Sequence, residues 1–132
     1  MIKKISHIGI AVKDLNSAKE MYKKLFQSEP SAPEYVNEQK VNVVKFIVGE
    51  STIELLEGTT ADSAISKFIE KRGEGIHHIA YESDNINTEI ERLDRDGFDF
   101  IDDSPKIGSD NMLISFVSPK SVGGVLTEIC QH

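Results

Sequence analysis

The sequence predicts an α+β fold, in which tandem β-α-β-β-β repeats form a curved mixed sheet with the helices outside. The first observation is an internal repeat, because the segment that begins at His7 returns at His78 with the same order of strand and helix. The second is that further β-rich segments follow the helix in both copies. The third is the length of 132 residues, which corresponds to one compact domain.

The sequence of the first copy predicts a strand, a helix and two more strands. Residues 5–12 alternate in side-chain size, which predicts a strand with Ile8, Ile10 and Val12 on one face. Asp14 then caps a predicted helix with an apolar stripe of Leu15, Ala18, Met21, Tyr22, Leu25 and Phe26. Residues 28–40 contain two prolines and predict a loop. Strands over 41–48 and 52–56 follow, joined by a tight turn.

A helix over 60–72 is predicted to link the two copies, and Gly73 and Gly75 end it. The second copy begins with a strand over 76–82, and Asp84 caps a helix that ends at Gly97. The remaining strand candidates cover 98–101, 112–117 and 124–129. The expected organisation is therefore a single domain, 1–132, built from two units of about 1–58 and 75–132.

Composition excludes several classes of protein. The formal net charge is −7 and no block of basic residues is present, which argues against a nucleic-acid partner. No apolar run reaches the length of a membrane span, and no signal-peptide pattern follows the first residues. The single cysteine, Cys130, leaves no internal disulfide and fits a reducing, cytoplasmic location.

Two histidines and two glutamates occupy matching points of the two copies. His7 and His78 are predicted to face the concave side of the sheet, where Gly9 and Ala80 beside them leave room for a cavity. Glu54 and Glu128 each interrupt an apolar strand, and a buried carboxylate needs a partner. Imidazole and carboxylate donors suit a divalent transition metal. His7, Glu54, His78 and Glu128 therefore predict a metal site.

A structural role is the alternative for each residue taken singly, since most strand histidines are not ligands. The recurrence of both residue types at matching points favours the metal site. His77, His132 and Cys130 are assigned structural or incidental roles.

The chain resembles the methylmalonyl-CoA epimerase family of the vicinal oxygen chelate (glyoxalase/bleomycin resistance/dioxygenase) superfamily over essentially its whole length. The more specific of the matching segments are Gly75-Ile-His-His-Ile-Ala and Pro119-Lys-Ser-Val-Gly-Gly-Val-Leu-Thr-Glu. The resemblance implies a glyoxalase-like fold and a metal held by His7, Glu54, His78 and Glu128, with cobalt favoured and nickel, manganese or zinc as alternatives. It also implies a homodimer that acts on a small acyl-CoA.

The reaction implied is the interconversion of (2R)- and (2S)-methylmalonyl-CoA, by abstraction and return of the α-proton through a metal-stabilised enolate. Glu128 is the preferred catalytic base and Glu54 the second choice. Some family members carry a further catalytic acid where this chain has Val43, and Glu38 lies nearby in sequence but does not match that position. Return of the proton to the opposite face needs a second donor, for which Glu54 and a metal-bound water are the alternatives. Lys106 and Lys120 are candidates to contact the CoA phosphates.

Two other functions fit parts of the pattern. Glyoxalase I (lactoylglutathione lyase) uses the same ligand types on a different substrate, and the Gly75 and Pro119 segments favour the epimerase over it. A metal-free binding protein of the bleomycin-resistance type would lack the four ligands, and all four are present here.

Overall fold

A computed structural model describes all residues from Met1 to His132. It is an α+β fold with one mixed eight-stranded sheet and three α-helices. The elements in chain order are β1 (Ile2–Ala11), α1 (Leu15–Phe26), β2 (Glu34–Val36), β3 (Val41–Val48), β4 (Ser51–Gly58), α2 (Ala64–Arg72), β5 (Gly75–Ser83), α3 (Ile86–Arg95), β6 (Lys106–Ile107), β7 (Leu113–Val117) and β8 (Thr127–Gln131). Short 3₁₀ turns cover Ser109–Asn111 and Pro119–Val122.

The strand order β2-β3-β4-β1-β5-β8-β7-β6 places the first strand of each copy at the centre of the sheet. β1 and β5 pair antiparallel with each other. Each also pairs in parallel with the last strand of its own copy, β1 with β4 and β5 with β8. The predicted fold class, a curved mixed sheet built from two copies of one strand-and-helix order, is therefore confirmed.

The first copy departs from the prediction in three places. The segment 28–40 contains the short strand β2, which pairs with β3. Met21 and Leu25 of the predicted apolar stripe are exposed, because only the stripe residues spaced as Leu15, Ala18, Tyr22 and Phe26 reach the sheet. The linking helix α2 begins at Ala64 rather than near residue 60, since Ser63 supplies the cap by accepting from the backbone N–H of Ser66.

The second copy also departs from the prediction. Asn85, not Asp84, caps α3, because the Asp84 carboxylate instead accepts from the amino group of Met1 at 2.8 Å. The predicted strand over 98–101 is wrong. Phe98 and Phe100 pack against the core under α3, and Phe100 makes only one isolated bridge, to Val117. The edge strand is β6, and β8 begins at Thr127 because Gly123 and Gly124 adopt positive φ angles.

Two of the hydrophobic clusters lie between a helix and the outer face of the sheet. α1 covers Val44, Phe46 and Leu55, while α3 covers Val117 and Ile129. Burial of these aliphatic and aromatic side chains stabilises the sheet. The inner face carries polar groups together with buried apolar residues such as Val43, Met112 and Ile114. None of the helices is long and apolar enough to cross a membrane.

Candidate metal centre

The register of the four central strands places the predicted ligands in two adjacent rows. Gly9 of β1 pairs with Glu54 on one side and with His78 on the other. In the matching position of the second copy, Ala80 of β5 pairs with Glu128 on one side and with His7 on the other. Each glutamate therefore lies beside a small residue, with the histidine of the other copy beyond it.

All four side chains are buried and converge on the inner face of the sheet. His7 Nε2 and His78 Nε2 lie 3.2 Å apart. The Glu128 carboxylate lies beside both, with Oε2 3.4 Å from His7 Nε2 and Oε1 3.3 Å from His78 Nε2. Glu54 Oε2 lies 3.6 Å from His7 Nδ1. One donor atom from each of His7, Glu54 and His78 lies within 4.8 Å of the other two.

Gly9 makes room for the second histidine. A Cβ atom at this position would lie 2.3 Å from His78 Cε1 and 2.6 Å from His78 Nδ1, far inside ordinary contact. On its other sides the His78 ring packs edge-on against Phe116 and His7, with centroids 5.6 and 5.3 Å away. The glycine therefore sets the position of the His78 ring.

Burial and neighbouring charges shift the pKa values of the two histidines in opposite directions. Burial, together with the nearby rings of His7 and His77, lowers the pKa of His78 well below its ordinary value, so His78 is neutral and has a lone pair to donate. Burial also opposes a charge on His7, but the carboxylates of Glu128 and Glu54 outweigh it and raise the pKa of His7. Burial raises the pKa of Glu54. An environment that stabilises a proton between His7 and two carboxylates also favours a metal cation at the same point.

An unpartnered oxygen of Glu128 gives a further reason to expect a divalent cation at this site. Glu128 Oε2 is buried and has no hydrogen-bond partner, which is costly for a carboxylate oxygen unless a cation or proton satisfies it. Imidazole and carboxylate groups are donors that transition metals accept, and the absence of a thiolate among the four argues against a soft metal.

Three polar residues that the sequence did not single out surround the outer side of Glu54. Lys45 Nζ lies 3.8 Å from Glu54 Oε2 and forms a 2.5 Å ion pair with Asp110. Ser109 Oγ donates to the same Glu54 oxygen at 3.5 Å. The backbone N–H of Asp110 donates to Glu34. The loop around Ser109 in the second copy therefore packs over Glu54 of the first copy. No local sequence pattern indicates this long-range contact.

A cavity of about 390 Å³ opens beside His78. Three carboxylates line it, and two of them are paired, Asp62 with Lys40 at 2.7 Å and Asp102 with Lys106 at 3.1 Å. The third, Glu38, is exposed and forms no hydrogen bond or ion pair. The cavity therefore places one unpaired acid and two lysines near the histidine pair.

The structure also places the residues to which the sequence assigned lesser roles. Val43 is buried, and together with His7 and Glu54 it lines a small void. Lys106 lines the cavity beside His78, whereas Lys120 does not. His132 is exposed at the end of the chain and pairs with Glu82. Cys130 lies close to His7 and Glu128, and burial raises the pKa of its thiol to about 12. His77 packs edge-on against Phe68 of α2.

Known proteins show the same architecture. Residues 6–116 match the model of the glyoxalase/bleomycin resistance protein/dioxygenase superfamily. The ethylmalonyl-CoA/methylmalonyl-CoA epimerase of Cereibacter sphaeroides is 35% identical, over 99% of both chains. The crystal structure of methylmalonyl-CoA epimerase from Mycobacterium tuberculosis has a TM-score of 0.94 at 30% identity, covering 98% of this chain and 88% of that one.

A variant of the methylmalonyl-CoA epimerase of Streptomyces coelicolor, solved in complex with 2-nitronate-propionyl-CoA, has a TM-score of 0.93. It is 34% identical and covers 99% of this chain and 95% of that one. The agreement extends over the whole sheet and both copies of the repeat. The chain therefore belongs to the glyoxalase/bleomycin resistance protein/dioxygenase superfamily and, within it, to the family of the methylmalonyl-CoA epimerases.

Proposed function

We propose that this protein is a metal-dependent epimerase that interconverts (2R)- and (2S)-methylmalonyl-CoA by removing and returning the α-proton. The observation that carries the proposal is the buried carboxylate of Glu128, which lies beside His7 and His78 and has one oxygen without a hydrogen-bond partner. Of these three residues, His78 lines a cavity open to a ligand. The relatives named as epimerases of methylmalonyl-CoA support the choice of substrate.

The proposed metal ligands are His7, Glu54, His78 and Glu128. The donor types suit cobalt, which we favour, and also nickel, manganese or zinc. When bound, a divalent cation offsets the negative charge that develops on the thioester oxygen as the α-proton leaves. The two negative charges of the glutamates match the charge of one such cation, so the loaded site has no large net charge of its own.

Glu128 is the proposed base that removes the proton. A carboxylate has two oxygens, so one can bind a cation while the other accepts a proton. Glu54 is the weaker candidate, because Lys45 at 3.8 Å and Ser109 at 3.5 Å already engage its Oε2 oxygen. In this scheme Glu128 takes the α-proton into its carboxylate and can return it to the same face of the carbon.

Epimerisation also needs a proton donor on the opposite face of the α-carbon. Glu38 is our proposal for it, since it is the one carboxylate of the cavity lining that no lysine engages. A free carboxylate at the surface exchanges protons with water, which allows the enzyme to run in both directions. Val43, which occupies the position implied by the resemblance, has no proton to transfer.

The CoA portion of the substrate carries negatively charged phosphates, and the protein has a formal net charge of −7. Local positive charges are therefore needed to bind the phosphates. Lys106 and Lys40, which line the cavity, are the proposed contacts for these phosphates. A homodimer and a cytoplasmic location complete the proposal. Sedimentation of the purified protein tests the oligomeric state.

The test is incubation of the metal-loaded protein with methylmalonyl-CoA in deuterated water. We expect deuterium at the α-carbon and a mixture of both epimers, since the removed proton exchanges with solvent. A protein that shows no exchange but converts the methylglyoxal–glutathione adduct would be a glyoxalase I. A protein that binds no metal and turns over neither substrate would be a binding protein of the bleomycin-resistance type.

A further inference from the structure

The residue immediately before each buried histidine is an extra residue in its strand. Between β1 and β5, Gly9 pairs with His78 while the next residue of β1, Ile10, pairs with Ile76, so His77 is left without a partner. Further along the same pair of strands, Ile5 pairs with Tyr81 and His7 with Ala80, which leaves out Ser6. Two β-bulges therefore occur at equivalent points of the two copies.

A bulge changes the direction in which a side chain points. In a regular strand, successive side chains lie on opposite faces and cannot meet. Here Ser6 Oγ lies 3.1 Å from His7 Nδ1, and His77 Nδ1 lies 2.9 Å from His78 Nδ1. Each bulged residue therefore contacts the Nδ1 atom of the histidine that follows it.

The Nε2 atoms of the two rings face each other and Glu128, while His7 Nδ1 also lies 3.6 Å from Glu54 Oε2. His7 Nε2 and His78 Nε2 lie 3.2 Å apart, and both lie within 3.4 Å of the Glu128 carboxylate. A neutral imidazole that donates a lone pair from Nε2 carries its proton on Nδ1, and this buried N–H needs an acceptor. His77 Nδ1 is the group within reach of His78, and the contact of His77 with the Phe68 ring holds it in place.

We infer that His77 is a positioning residue: it accepts a hydrogen bond from His78 Nδ1–H and so holds His78 in the tautomer that presents Nε2 to the metal. In the first copy Ser6 Oγ occupies the equivalent position, although His7 Nδ1 also has Glu54 Oε2 nearby. The inference rests on the proposed metal site. It accounts for the adjacent histidines of Gly75-Ile-His-His: His78 contacts His7 and Glu128, and His77 contacts His78 and lines the same cavity.

The tautomer can be measured without metal and without substrate. Long-range ¹H–¹⁵N correlation spectra of the wild-type protein, labelled with ¹⁵N-histidine, identify the protonated nitrogen of each ring. We expect the proton of His78 on Nδ1, and His77 Nδ1 without one. A His78 ring protonated only on Nε2, or a proton on His77 Nδ1, overturns the inference.

Two variants separate the hydrogen bond from packing. His77→Phe keeps a ring against Phe68 but offers no acceptor, so the Kd for Co²⁺ is expected to rise about 10- to 100-fold. His77→Asn retains an acceptor near the position of Nδ1, and we expect it to stay within about threefold of wild type. The matched control is His132→Phe, since His132 lies at the exposed end of the chain.

The outcomes separate this inference from the function on which it rests. A wild-type protein that binds no divalent metal refutes the metal site, whereas the spectrum of the metal-free protein still tests the tautomer of His78. Equal Co²⁺ affinity in wild type and His77→Phe refutes the role of His77 alone, as does equal loss of affinity in His77→Phe and His77→Asn. If His77→Phe does not fold, the His77→Asn affinity and the wild-type spectrum decide the question.

Discussion

Substitution of Gly9 by alanine adds one methyl group at the point where two strands and a ligand ring meet. The added Cβ would lie 2.3 Å from His78 Cε1, so the ring would have to move by roughly 1 Å to reach ordinary contact at 3.4 Å. The rings of Phe116 and His7 limit that movement from the other sides. We therefore expect Gly9→Ala to lower the free energy of unfolding by about 1–3 kcal/mol, as overpacked cores do.

The same displacement should weaken metal binding and catalysis. A shift of about 1 Å in a catalytic group lowers rates by about 100-fold. Co²⁺ titration followed by absorption, and α-proton exchange in deuterated water, measure the two effects. Chemical denaturation of the metal-free protein measures the change in stability separately.

Gly75→Ala is the matched control. Gly75 lies in the neighbouring strand β5, and a Cβ added there meets nothing within 4 Å. Since alanine restricts the unfolded chain more than glycine does, we expect this variant to be unchanged or more stable by roughly 0.5–1 kcal/mol. If Gly9→Ala matches Gly75→Ala in stability and Co²⁺ affinity, the proposed role of Gly9 is wrong.

Four further predictions concern the site. Glu128→Gln should lower α-proton exchange by about 100- to 10,000-fold while the protein still folds, and exchange near the wild-type rate would exclude Glu128 as the base. Glu38→Gln should lower epimerisation by at least about 100-fold with Co²⁺ affinity unchanged; a parallel loss of affinity would argue against a role in proton transfer. Chelation of the metal should lower the Tm, and Co²⁺ at about 100 times its Kd should restore about 2.7 kcal/mol of stability. Burial lowers the pKa of His77 to about 4, so the unfolded chain binds the extra proton first as the pH falls below 6.5. The metal-free protein should then lose up to about 3 kcal/mol relative to His77→Asn between pH 7 and pH 4, as measured by denaturant unfolding.

The repeat was visible in the sequence because it depends on local patterns. The alternation around His7 and around His78, followed each time by an amphipathic helix, needed only the side-chain periods of strands and helices. The central position of β1 and β5 follows from this duplication. The division of the chain into two units of about 1–58 and 75–132 stays a prediction.

Errors of the sequence analysis occurred where a distant group decided the outcome. Asp84 and Asn85 are both good helix caps by residue type, and the amino group of Met1, 83 residues away, takes up the Asp84 carboxylate. Phe98 and Phe100 alternate as strand residues do, but packing under α3 accounts for the alternation. Such choices depend on contacts that no local window of sequence contains.

For the site, the sequence by itself determined the four candidate ligands, because residue type and repeat position are properties of the chain alone. Only the tertiary structure decided that Gly9 makes room for His78, that Lys45 and Ser109 contact Glu54, and that Glu38 lines the cavity. It also supplied the contact from which the positioning role of His77 is inferred, a residue to which the sequence assigned only a structural role. The physical reason is strand register: a single bulge turns a side chain from one face of the sheet toward its neighbour, and register is set by pairing between strands 71 residues apart.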